Sequence, residues 1–445
     1  MNSAASSAFL ARLEAKAAAR ELASQPAWLQ ELRRGAWQWL SEQGFPMVKD
    51  EAWKYTRVAP ILAIPFQPAE PGMSRLSVAS VERLAGDLGG PRLVFVNGYF
   101  AAQLSKLDGL PPGIQVSNLA ALLRVDDEVG SGALEALFSH GFRAQPQAFS
   151  ALNTALAEDG AFIQIPAQTT VEAPIHLVFL AAAGATPLLV QPRVLLLMEA
   201  GSRATLVESH VGNPGECYFS NAVTEVLLEA GAQLEHYQLQ QQSAAAFHVA
   251  LLSVRQAEDS RLAAHCSALG GLLARQEVRV LLAGPGAQVS LNGLYLPRGE
   301  QHLDNQTCIE HLAPRCTSRE RYKGVIDGSG HGVFDGRIIV RPGAIKTDAS
   351  QTIKTLLLSD SAQANTQPRL EIFADDVKCA HGAAVGQLDE QAVFYLRSRG
   401  IPQAQARALL TYAFVSEMLE LIPLVPLRTQ LELLIAAQLR GEEAA

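Results

Sequence analysis

Glu199-Ala200-Gly201-Ser202-Arg203-Ala204-Thr205-Leu206 is echoed about 30 residues later by Glu229-Ala230-Gly231-Ala232-Gln233-Leu234-Glu235-His236. Weaker echoes follow at Ala257-Glu258-Asp259-Ser260-Arg261-Leu262, Gly284-Pro285-Gly286-Ala287-Gln288-Val289 and Arg341-Pro342-Gly343-Ala344-Ile345. The early turns lie about 27–30 residues apart, a period that marks solenoids and propellers. Between them the chain offers short strand-like runs, at Phe162–Ile165, Ile175–Leu180, Arg193–Met198, Ala204–Glu208, Val223–Leu228 and Val278–Leu282. It offers no helix of useful length there. That combination predicts a parallel β-helix, in which every coil buries its inward side chains against its neighbours. The Trp-Asp signature of WD40 blades is absent, and a β-sandwich with irregular loops is the structural alternative.

Helical sequence flanks this core. Ala-rich turns from Phe9 to Leu22 lead to Trp28, Leu29, Leu32, Ala36, Trp39 and Leu40 at helical spacing, ended by Gly44 and Pro46. The segment Asp50-Glu51-Ala52-Trp53-Lys54-Tyr55-Thr56 reads as packing against helices or as an aromatic platform. Arg92–Val96 followed by Asn97-Gly98 predicts a strand and tight turn, and helical stretches are expected near 117–124 and 131–158. Beyond Gln387, Asp389 can cap a helix that ends at Gly400, and Pro402 opens another. The organisation expected is mainly β: a mostly helical region 1–155, a parallel β-helix core 156–385 and a helical region 386–445.

The chain has 445 residues, a net charge of −8 and no long basic run, which gives no electrostatic footprint for nucleic acid. Five cysteines, Cys217, Cys266, Cys308, Cys316 and Cys379, are too sparse for a disulfide framework. Met1 to Arg20 lacks an apolar signal region, and no apolar run approaches the ~20 residues of a membrane span. The expectation is a soluble cytoplasmic protein.

The chemistry concentrates in Asp375-Asp376-Val377-Lys378-Cys379-Ala380-His381-Gly382-Ala383. In a strand, residues i and i+2 share a face, so Cys379 and His381 project together as borderline-soft ligands. Two ligands cannot close a four-coordinate shell; a partner would have to complete it. Read alone, the pair also describes a buried thiol beside a satisfied histidine. His302, Cys308, His311 and Cys316 have zinc-ligand chemistry but lack the paired spacing of a zinc site. Gly324, Gly328, Gly330 and Gly332 surround Asp327, Ser329 and His331 without a following Gly-Lys-Ser/Thr, so they predict turns rather than a phosphate cradle. No Gly-x-Ser-x-Gly or His-Glu-x-x-His motif occurs.

These residues resemble the SufB/SufD family of iron–sulfur cluster assembly scaffolds. The resemblance is densest over Thr347-Asp348-Ala349-Ser350-Gln351, Leu356-Leu357-Leu358-Ser359 and Pro368-Arg369-Leu370-Glu371-Ile372. It continues through Val385-Gly386-Gln387-Leu388-Asp389-Glu390 and Phe394 to Ile401, and Asp50–Thr56 is similar to the family's N-terminal signature. The form Lys378-Cys379-Ala380-His381-Gly382-Ala383 resembles SufD more than SufB. The resemblance implies a right-handed parallel β-helix flanked by helical domains, and assembly with a SufB-like paralogue and two copies of a SufC-like ABC ATPase. A homodimer is the alternative assembly of the chain in isolation.

The resemblance further implies that His381, with neighbouring Cys379, meets a nascent iron–sulfur cluster at the SufB interface, and that the C-terminal helices dock the ATPase. The function expected is therefore a non-enzymatic scaffold that shares a transient cluster with its partner and binds no cofactor tightly by itself. The rivals are a carbohydrate-active β-helix enzyme, for which 6% aromatics and the lack of a signal peptide are poor support, and a stand-alone zinc module on residues 302–316.

Overall fold

One corner of the chain repeats a backbone conformation that L-residues avoid. Gln168, Gly201, Gly231, Asp259, Gly286, Arg315, Lys346 and Asp376 all have φ between 52° and 74°. Each is one coil after the last, and the N–H of all but Asp376 donates to a carbonyl at the same corner of the next coil. These bonds run from Gly201 to Ala230 and from Gly231 to Glu258 at 2.8 Å, and finally from Lys346 to Asp376 at 2.8 Å. Glycine adopts this left-handed turn without a Cβ penalty; where Asp, Arg or Lys stands instead, the ladder of bonds holds the turn. This corner is the physical content of the repeated phrase.

The computed structural model describes residues 2–19, 25–72, 76–123, 134–135, 137–138 and 146–440. Between corners each coil contributes two strands, one to each of two parallel sheets, and the protein is a β-solenoid of about 8 turns. Register fixes the stacking: Arg203, Gln233, Arg261, Gln288, Thr317, Asp348 and Lys378 stand side by side in successive coils of one sheet. Alternation then sends the next residue of each strand inward, so Ala204, Leu234, Leu262, Val289 and Ala349 line the interior and are buried.

Helices cover the outer face of each sheet. N-terminal helices, including Ala27–Gln43 and Ala148–Leu156, bury Leu29, Leu40 and Leu152 against Leu195, Phe219, Phe247 and Leu273 of the first sheet. The C-terminal helices Glu390–Ser398, Gln403–Leu419 and Val425–Leu439 bury Val415, Leu427 and Leu431 against Tyr237, Val325 and Leu356 of the second. Asp389 Oδ1 accepts the Gln391 N–H at 2.9 Å, and Gly400 follows at φ 89°, so cap and stop behave as their residues predict. Asn97 and Gly98 both have positive φ and join Arg92–Val96 to the antiparallel Tyr99–Phe100. Pairing overrides the helix expected at 117–118, because Gln115–Asn118 is a strand antiparallel to Ala161–Ile165. Residues 20–22 and much of 124–145, where helix was expected, lie outside the described residues. No helix among those described is long and apolar enough to cross a membrane.

Candidate functional site

The two sheets end in Gln363–Ile372 and Lys378–Gln387, and no residue of either strand is buried. Each strand is paired on one side only, so it presents a row of backbone N–H and C=O groups, a template for a further strand. The C-terminal helices do not cover this end; they lie along the flank of the second sheet. Register carries side-chain direction into the last coil. Cys379, His381 and Ala383 stand beside Ala349, Gln351 and Ile353, which are all buried in the interior. Cys379 and His381 therefore share the inward face, as their spacing predicts. Cys379 is half-buried and packs on the main core, and burial pushes its thiol up. His381 is exposed. The alternate positions Ala380, Gly382, Ala384 and Gly386 give the outer face of this strand no bulk.

Behind His381 the interior turns polar. Gln351 Nε2 donates to Glu320 Oε2 at 2.6 Å, and both residues are buried. Burial pushes the Glu320 carboxyl up to about 7, opposed by the neighbouring Thr307 hydroxyl and the Gln351 amide. A second buried polar group lies deeper in the solenoid, where Glu208 meets His236 at 2.7 Å and Thr224 at 2.9 Å. Burial pushes that carboxyl up, but His210 and His236 outweigh it and bring it down to about 2. Sequence reasoning missed both groups. Their signal is a charged or amide residue at an inward position of a strand, which is legible only once the register is known.

The structure divides His302, Cys308, His311 and Cys316 between two faces. His302 and Cys308 point outward from one strand, whereas His311 bonds Ser318 Oγ at 2.9 Å inside and Cys316 Sγ donates to Gly284 O at 3.3 Å. Among the described residues no group of three or more His, Cys, Asp or Glu is arranged to hold a metal ion. His302 instead joins the segment at 50–56. Thr56 Oγ1 lies 2.8 Å from His302 Nε2 and donates to Asp304 Oδ2 at 2.6 Å, while Asp304 is ion-paired with Arg275. The Trp53 ring covers the Arg275 guanidinium at 3.8 Å, Tyr55 accepts from Gln367 at 3.2 Å, and Glu51 meets Arg369 at 3.1 Å. The aromatic cluster is thus a polar clamp on the outer face of the first sheet, with its platform surface already occupied.

The C-terminal helices leave Phe394, Tyr395, Leu409 and Leu433 exposed on the side facing away from the sheet.

Comparison with known proteins covers nearly the whole chain. Residues 179–414 match the family described as SUF system FeS cluster assembly, SufBD core domain, and residues 13–177 match the SufBD protein N-terminal region. A Synechocystis protein named an iron–sulfur cluster assembly SufBD family protein is 35% identical over 413 residues, covering 90% of this chain and 88% of the relative. The iron–sulfur cluster assembly protein SufD of Escherichia coli is 32% identical over 407 residues, covering 91% and 92%. A chloroplastic protein of Arabidopsis thaliana, ABCI7, is 31% identical over 412 residues, covering 90% and 84%.

Proposed function

The chain belongs to the SufBD family of iron–sulfur cluster assembly proteins, and on that premise we propose that it is a non-enzymatic scaffold subunit of a SufBCD-type complex in the cytoplasm. Its open end pairs with a SufB-like paralogue, and its C-terminal helices dock a SufC-like ABC ATPase. The cluster is cargo, formed at the seam between subunits, with His381 and Cys379 as this chain's share of the ligands. The observation that carries the reading is the unfinished last coil: an edge of unpaired backbone that bears a thiol and an imidazole on its inward face. A partner strand would satisfy the backbone and bring the missing ligands together. The division at about 155 and 385 belongs to the same proposal, with each part given its own role.

The test is the reconstituted complex carrying His381→Ala, assayed for iron and sulfide beside its melting temperature. Normal cluster yield from a well-folded variant would overturn the role of His381. Cys379→Ala should be milder if the thiol mainly packs and as severe if it ligates. Because the C-terminal helices also bury Val325 and Leu356, docking is tested on their exposed side. Phe394→Ser combined with Leu433→Ser should release the ATPase while leaving the fold intact; full retention would move the docking surface elsewhere.

A further inference from the structure

One inward column near the open end is polar within a mainly apolar interior. Leu291, Glu320, Gln351 and His381 stand side by side in four successive coils. Glu320 and Gln351 are each 1% exposed, a depth at which every polar atom is expected to be bonded. The amide nitrogen of Gln351 is committed to Glu320 at 2.6 Å, but its Oε1 is buried without a hydrogen-bond partner. The opposite wall is cut away to hold this side chain. Gly336 faces it from the first sheet, and a Cβ there would collide with Gln351 Nε2. With Nε2 turned back to the preceding coil, Oε1 is the acceptor left for the following one. The register neighbour there is His381.

We propose that Gln351 is a positioning residue for His381: its Oε1 accepts the N–H of one imidazole nitrogen and turns the lone pair of the other out of the open end. Glu320 and the space at Gly336 hold the amide in that pose. The inference rests on the reading of His381 as a cluster ligand and supplies the group behind it. A histidine that ligates through one nitrogen ordinarily donates from the other to a carbonyl or carboxylate, which fixes its tautomer and ring orientation. Here the carbonyl is a side-chain amide contributed by the penultimate coil.

The experiment uses the full metal-free chain, labelled with nitrogen-15 at histidine and recorded at about pH 8, where an ordinary imidazole is neutral. The His381 signals are assigned by their loss in His381→Ala. In the wild type they should show one tautomer, with widely separated ring nitrogens. In Gln351→Met, and in Gly336→Ala where the amide is displaced rather than removed, the two nitrogens should move toward a common average. Averaged nitrogens in the wild type would overturn the proposal with no variant needed. So would an unchanged single tautomer in folded Gln351→Met or, should that variant not fold, in Gly336→Ala. The same variants are then assayed for cluster yield in the complex. Loss of the tautomer supports the positioning whatever the yield, while the ligand role of His381 stands or falls on the yield of His381→Ala, so the two readings fail separately.

Discussion

The first coils of the solenoid are closed by antiparallel strands, whereas the last coil stops with both sheets bare. At the beginning, Tyr99–Phe100 caps one sheet and Gln115–Asn118 the other. The inward residues there, Leu93, Phe95, Ala161, Ile163 and Ile165, are at most 1% exposed. At the end, the equivalent inward positions hold Cys379, His381 and Ala383, none of them buried. A short antiparallel strand is all that closure requires, and the same chain builds it twice at one end and not at all at the other. On the proposed function, the difference separates a face that serves folding from a face left for a partner.

The strongest way to break the comparison is acid, because the buried histidines it protonates belong to the closed body. Burial pulls His265, His302 and His311 down to about 4 and His176 down to about 3. Below about pH 6.5 the unfolded chain binds protons that the folded chain refuses, so stability falls as pH falls toward 4. Four such groups should unfold the body before pH 4, followed by circular dichroism; a native spectrum persisting at pH 4 would contradict it. Next in size is Phe95→Ala. This ring is fully buried and stacks on Phe179 at 5.2 Å, so its loss should cost about 3–5 kcal/mol in denaturant melts.

Smaller again is Thr56→Val, which leaves Asp304 and His302 short of a buried partner. It should cost about 1–3 kcal/mol, and a neutral result would show that the clamp at 50–56 is dispensable. The smallest effect should come from His381→Ala, at about 0.5–1.5 kcal/mol for an exposed side chain that gives up one hydrogen bond to Gln351. A large loss of stability there would erase the distinction between the two ends, because His381 would then serve folding as well.

How much of this was legible beforehand depends on which residue sits at the corner. Gly201, Gly231 and Gly286 announce the left-handed turn, and the repeat was visible at those coils. Asp259, Arg315, Lys346 and Asp376 adopt the same conformation under tertiary compulsion, so the repeat fades although the geometry does not. The late echo at Gly343 falls three residues short of Lys346, the residue that takes the corner. The pairing of Cys379 with His381 followed from strand periodicity alone. Their position on an open edge did not, since no local signal tells a strand that nothing follows it. Gln351 and Glu320 were illegible for a related reason: inwardness is decided by register between coils far apart in sequence.

A stack of coils is a one-dimensional lattice, and such lattices ordinarily melt from their ends, one unit at a time. The clamp at 50–56 alters that behaviour. Trp53 on Arg275, Thr56 on Asp304, Tyr55 on Gln367 and Glu51 on Arg369 tie a single short segment to coils from the middle of the stack to its last member. For the terminal coil to fray, it must first let go of a segment that is also anchored well inside the stack. The bare end is thereby joined to the cooperative unit, and its amides should exchange with solvent at rates closer to those of the body than an uncapped terminal coil would otherwise allow.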